Sequence, residues 1–167
     1  MNGDPKLYDL LERLNIGFEY IEHPPAPTID VARQYWAGHE AKHCKNLFFR
    51  NHKGNRHYLV ILDCDCDMDI HAIEKLLHQG KLSFASAKRM LEHLGVTPGS
   101  VTPFGLINDT THQTHVFIDR NLQQAHRLSF HPCINTASLI ISREDFIRFL
   151  DCTGNAYEWT ELYSGRQ

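Results

Sequence analysis

Two loops rich in glycine and proline carry the residues best suited to holding a small molecule. They are Gly95-Val96-Thr97-Pro98-Gly99-Ser100-Val101-Thr102-Pro103-Phe104-Gly105-Leu106-Ile107-Asn108 and Phe130-His131-Pro132-Cys133-Ile134-Asn135-Thr136-Ala137, and each abuts an apolar run. Glycine lets backbone approach a ligand closely and proline fixes the loop, while Asn108, His131, Asn135 and Thr136 offer short polar groups to orient what is bound. Lys45-Asn46-Leu47-Phe48-Phe49-Arg50 places a cation and an amide at the start of a strand. Side chains alternate across a strand, so Lys45 and Leu47 share one face while Asn46 and Phe48 share the other. The sequence has no G-x-S-x-G elbow, phosphate loop or dinucleotide fingerprint, which removes the commonest serine-hydrolase and nucleotide-binding readings.

Three further patterns imitate metal sites. His39-Glu40-Ala41-Lys42-His43 matches H-E-x-x-H, in which two histidines one helical turn apart bind zinc. That chemistry needs a continuous helix, yet Gly38 stands where the preceding helix should stop and a strand begins near Lys45, so a polar loop is expected. Asp63 to Glu74 spaces carboxylates like a calcium loop, but Met68 occupies the sharp turn that normally requires glycine. An acidic turn followed by a helix cap fits better. Cys64 and Cys66 form a C-x-C without a second pair at zinc-ribbon spacing, so buried thiols are expected. No metal or cofactor is predicted.

The elements that must position these residues follow from periodicity. Leu7, Leu10, Leu11 and Leu14 recur at helical spacing until Gly17, and Phe18 to Ile21 then reads as a strand. Pro24-Pro25-Ala26-Pro27 excludes regular structure, and Thr28 with Asp30 signals a helix ending before Gly38. Leu47 to Arg50 and His57 to Leu62 form a hairpin around a five-residue loop carrying Gly54. Asp69 and Ser86 cap helices that end at Gly80 and Gly95, further strands lie at Val116 to Asp119 and Ser138 to Ile141, and Ser142 caps a last helix. Irregular alternation of strands and helices implies an α/β chain of the α+β type, a mixed sheet with helices packed on it.

With 167 residues, one domain spanning 1–167 is expected, large enough to bury a sizeable core. A composition of 42% hydrophobic and 22% charged residues is that of an ordinary globular protein. The N-terminus lacks a secretory pattern and no apolar run is long enough to span a bilayer, so a cytoplasmic protein without membrane partners is expected. Five cysteines without framework spacing are expected to be reduced. A net charge of −3 argues against a DNA-coating protein, yet Lys42 to His57 holds five Lys/Arg and no carboxylate, a segment suited to a phosphate backbone.

Together with Glu22-His23-Pro24-Pro25-Ala26-Pro27-Thr28, the two loops and the Lys45 strand resemble the YbaK/ProX-type family of aminoacyl-tRNA editing domains, free-standing relatives of the prolyl-tRNA synthetase editing insertion. The resemblance runs from about Tyr8 to Tyr157. It implies a mixed, partly barrel-like sheet flanked by helices, and hydrolysis of the ester joining a wrong amino acid to the terminal ribose of tRNA. That ester is already activated, so an ordered water and donors around the carbonyl oxygen suffice without a strong nucleophile. By the resemblance, Lys45 stabilises the terminal phosphate or the developing oxyanion, and Asn46 and His131 orient the terminal adenosine or the water. Gly99 contributes backbone amides, and Thr28, Pro103, Phe104, Asn135 and Thr136 bound the pocket. Arg50 and Lys53 are expected to contact tRNA. Alanine on proline tRNA is the expected substrate, because a pocket built for proline discriminates a missing methylene by only about 1 to 3 kcal/mol and a second sieve must remove the error. Cysteinyl-tRNA is the alternative, a non-catalytic module binding tRNA or a synthetase is another, and prolyl-tRNA synthetase is a candidate partner.

Overall fold

The computed structural model describes residues 1–25, 29–66 and 69–162, with only the backbone of Ile29. Helices α1 (Pro5–Arg13), α2 (Ile29–Trp36), α3 (Ile70–Leu77), α4 (Ala87–Leu94) and α5 (Arg143–Thr153) surround strands β1 (Glu19–Glu22), β2 (Lys42–Arg50), β3 (His57–Asp63), β4 (Ser83–Phe84), β5 (Thr114–Asp119), β6 (Arg127–Phe130), β7 (Ala137–Ser142) and β8 (Tyr157–Thr160). Side-chain caps set the helix starts where the sequence placed them. Asp69 accepts from the amides of His71 and Ala72, Ser86 from Arg89 and Ser142 from Asp145.

The strands pair in the order β1-β7-β6-β2-β3-β5-β8, with β4 added to β2. The sheet is mixed: β1 with β7, β7 with β6 and β2 with β3 are antiparallel, whereas β6 with β2, β3 with β5 and β5 with β8 are parallel. One face of nearly every strand feeds a single core. Phe48, Leu59, Ile61, Val116, Ile118, Leu128, Phe130, Leu139 and Ile141 pack there against Leu7 and Leu11 of α1 and Phe146, Phe149 and Leu150 of α5. On the other, outer face, Phe49, Tyr58, Val60, Leu62 and Phe117 form a second cluster under Ile73 of α3. Strand β3 is buried along its whole length because both faces are covered.

Some boundaries move for local reasons. Helix α1 ends before Asn15, which takes a left-handed conformation at φ 55°, and α3 ends at left-handed His78 rather than at Gly80. The first glycine/proline loop tightens into a 3-10 turn, Pro103–Asn108, packed on α4. Gly105 is required there, since a Cβ would stand 2.7 Å from the Leu94 carbonyl oxygen.

Candidate active site

The central feature is a gap in the pairing of β2. Strand β6 pairs with β2 only at Lys42 and His43, and β4 pairs with it only at Phe49 and Arg50. The edge of β2 between them faces no described strand. The His43 carbonyl accepts from Cys64 on the β3 side and the Phe48 carbonyl from Ala85 on the opposite side. Strand alternation therefore turns the Asn46 peptide toward the gap.

His43 lies opposite Ser129 in the parallel register, so two positions on, Lys45 and His131 project from the same outer face. Ser138 and Ile140 of β7, and Ile21 of β1, continue that face. Helix α2 roofs it: Trp36 stacks on His43 with ring centroids 3.9 Å apart, and Tyr35 lies 5.9 Å from the His23 ring. The recess beneath α2 thus gathers His23, His131, Ser138, His43 and Lys45.

Hydrogen bonds fix the histidine tautomers. Nδ1 of His131 donates to the Ala137 carbonyl at 2.8 Å, which leaves Nε2 as a lone-pair acceptor. Burial, opposed by that carbonyl, lowers the His131 pKa below 6.5 and keeps the ring neutral at physiological pH. Nδ1 of His23 donates to the Pro24 carbonyl at 3.0 Å, so its Nε2 accepts from the Ser138 hydroxyl at 2.9 Å. The His23 and His131 rings lie 5.9 Å apart. Lys45 Nζ donates to the Cys66 carbonyl at 3.0 Å, which ties the lysine to the turn after β3.

The loop 131–136 is pinned from several sides. Its Pro132 carbonyl accepts from Asp4 and its Thr136 carbonyl from His23, and Cys133 adopts φ 67°. Gly99, at φ 90°, comes against the same loop, with the Asn135 amide nitrogen 3.6 Å from where a Cβ would sit. His131, Asn135, Thr136 and Gly99 therefore form one loop cluster, alongside which β2 brings Lys45.

Other expected residues go elsewhere. Asn46 points its side chain to the core face, away from Lys45, and its Oδ1 is buried with no hydrogen-bond partner among the described residues. Phe104 is fully buried, edge-on to Phe130 and Phe149, and Pro103 is buried beside it, so both support the site from within the core. Asn108 is consumed structurally, donating to the Leu94 carbonyl at the end of α4 and accepting from Lys6, and is not available to orient a ligand. Arg50 and Lys53 sit at the hairpin end of β2, and Thr28 lies outside the described residues. The sequence reading quoted His23 only within its proline-rich motif, without a role, and did not single out Ser138 or Tyr35. For Ser138 the signal lay in its alternation with Leu139 and Ile141 along β7.

The metal-like patterns resolve into other contacts. His43 lies in β2 under Trp36 while His39 bonds Glu19, so no helix runs through both as H-E-x-x-H demands. Asp63, Cys64 and Asp65 place ligand atoms within 4.8 Å of one another, but Lys42 bridges Asp63 at 3.0 Å and Arg33 bridges Asp65. Burial pushes the Cys133 thiol up to about 12 and the Cys64 thiol up to about 11, which makes neither a nucleophile. A cleft of about 870 Å³ opens along Lys42, Asp63, Arg120, His126 and Arg127, and contains neither Lys45 nor His131. Convergent donors and acceptors, not volume, single out the recess under α2.

The aminoacyl-tRNA editing domain family matches residues 23–149, a span that contains Lys45, Gly99 and His131. The chain is 36% identical over 152 residues to the prolyl-tRNA editing protein ProX of Acetoanaerobium sticklandii, covering 91% of this chain and 93% of that protein. It is 33% identical over 153 residues to the mouse prolyl-tRNA synthetase associated domain-containing protein 1, covering 90% of each. A solved structure described as a candidate trans-editing enzyme for prolyl-tRNA synthetase superposes with a TM-score of 0.72 at 21% identity, covering 98% of this chain and all of that one, and shows the same fold.

Proposed function

The chain belongs to the aminoacyl-tRNA editing domain family, and on that premise we propose that it is a hydrolase that deacylates mischarged tRNA in trans, with alanine on proline tRNA as its substrate. The observation that carries the reading is the shared outer face of Lys45 and His131, within a chain 36% identical to a prolyl-tRNA editing protein. On this reading the protein works in the cytoplasm, with prolyl-tRNA synthetase as the source of the error. Among the described residues, no helix is long and apolar enough to cross a membrane.

Hydrolysis then needs a water, a group to take its proton and donors for the carbonyl oxygen. Neutral His131 presents Nε2 as the acceptor that holds the water or the neighbouring ribose hydroxyl. Lys45 sits where it can meet the terminal phosphate or the developing oxyanion, and the backbone of Gly99 and of Asn46 supplies further donors. The Ser138–His23 pair and the Ala137 carbonyl keep the histidines in register. Thr136 and Asn135 close the side that receives the amino-acid side chain. Arg50 and Lys53 lie farther from the ester, at the hairpin end of β2, where the rest of the tRNA passes.

A panel of tRNAs charged with Ala, Cys, Ser and Pro, followed for ester loss, tests the substrate. The reading requires alanine on proline tRNA to be hydrolysed fastest and the cognate proline ester to survive. Faster loss of cysteine would transfer the assignment to the cysteinyl alternative. Survival of every ester would leave a binding module.

A further inference from the structure

Two stretches without a carboxylate, residues 41–62 and 75–91, meet edge to edge where β4 pairs with β2, with Phe49 opposite Phe84 and Arg50 opposite Ser83. The β2–β3 turn also approaches the loop before β4, since a Cβ on Gly80 would lie 3.5 Å from that of His52. Arg50 folds over its own turn, donating to the carbonyls of Asn51 and His52 at 3.2 Å. Arg89 reaches from α4 to the Gly54 carbonyl at 2.9 Å. Both guanidinium groups crowd Gly54, where a side chain would collide with them at 2.7 and 2.8 Å. Lys53 and Lys81 are exposed on the two loops. None of these four cations is ion-paired to a carboxylate among the described residues. A chain of net charge −3 has thus segregated positive charge to one end of β2.

Phe84 is 62% exposed on the outer face, its ring 4.7 Å from that of Phe49, whereas Arg50 and Arg89, the latter 3.0 Å from His57, lie toward the core side of the sheet and leave Lys53 and Lys81 as the exposed cations near it. Phe49 shares the outer face of β2 with Lys45, four positions along, so Phe84 stands on the candidate catalytic face about 13 Å down the strand from the lysine. An aromatic face open to solvent, near the exposed Lys53 and Lys81 and on the same face of the sheet as Lys45, has the makings of a stacking platform for an unpaired base. Resting on the deacylase reading above, we infer that this patch holds the single-stranded 3′ end of the tRNA. Phe84 stacks one base, while Lys53 and Lys81 take the adjoining phosphates. Stacking of this kind tolerates any base, so the contact supplies affinity and position rather than sequence choice.

Direct binding separates this inference from the reading it rests on. Uncharged RNA hairpins, one with a single-stranded 3′ tail and one blunt, are titrated by fluorescence anisotropy against the wild-type protein and Phe84→Ala, Phe84→Leu and Phe84→Trp. The expected result is a loss on the order of tenfold for Ala and Leu with the tailed RNA only, and near wild-type binding for Trp. Lys53→Gln combined with Lys81→Gln should reduce the slope of log affinity against log salt by about 0.7 for each lost phosphate contact. Unchanged binding by Phe84→Ala, equal losses with tailed and blunt RNA, or full rescue by leucine would each overturn the inference. Ester hydrolysis by the same wild-type preparation is scored separately: hydrolysis with no Phe84 effect rejects the platform alone, and a Phe84 effect without hydrolysis rejects the deacylase reading alone.

Discussion

His43 is 8% exposed, both of its ring nitrogens are buried without a hydrogen-bond partner among the described residues, and its ring lies flat on Trp36 at 3.9 Å and 6°. Burial first, then the charges of His39 and Arg33, pull its pKa from 6.5 to about 4. A histidine whose folded value lies below its unfolded value binds fewer protons in the fold than in the open chain. Stability therefore rises with pH across that window and is lost as pH falls from 6.5 toward 4. With those two values, the wild type gives up about 2 kcal/mol at this one residue between pH ~7.5 and pH ~5. Phenylalanine keeps the stack, removes two unsatisfied nitrogens and cannot titrate. Urea unfolding of His43→Phe should thus show a pH-dependent loss smaller than wild type by about 2 kcal/mol over the same interval, with stability at pH ~7.5 equal or higher. An unchanged difference between the two pH values would refute the burial and neutrality of His43. A variant destabilised at pH ~7.5 would instead mean that the ring nitrogens have partners.

Other outcomes follow from the same geometry. With neutral His131 in the role proposed for it and burial holding its pKa below 6.5, the deacylation rate should stay flat through neutral pH and fall only in mild acid; a stopped-flow pH–rate profile that falls already above pH ~7 contradicts this. Gly105→Ala forces a methyl to within 2.7 Å of the Leu94 carbonyl, and urea midpoints should report a loss of about 1 to 3 kcal/mol; a neutral result would mean α4 and the 3-10 turn pack more loosely than described. Deacylation should be unaffected by chelator treatment with metal analysis before and after, since Lys42 and Arg33 occupy the acidic turn. Loss of activity that returns with added zinc would reopen the H-E-x-x-H pattern.

Local chemistry made much of the fold legible. Asp69, Ser86 and Ser142 each announced a helix because a short oxygen-bearing side chain before an apolar period has one favourable use. The β2–β3 hairpin was equally plain from its strand formers and glycine turn. Strands β4 and β8 were not foreseen, and neither was β6, because two to four residues carry too little alternation to register and their pairing is decided by distant partners. Phe104 was expected in the pocket because its loop matches an editing motif. Tertiary packing instead drew its ring between Phe130 and Phe149. Asn108 went to cap α4, a role that only the approach of the 3-10 turn to that helix reveals. For Lys45 and His131 the sequence could assign residue type but not proximity. The parallel register of β2 on β6 places them on one face, and parallel pairing across so long a connection leaves no local mark.

The most direct test of the account is the single-turnover rate of ester loss from alanine on proline tRNA for the wild-type protein, Lys45→Ala and His131→Ala, with urea midpoints to show that each variant folds. The recess under α2 predicts a fall on the order of a hundredfold or more for each folded variant. Wild-type rates in both would place the chemistry elsewhere on the molecule.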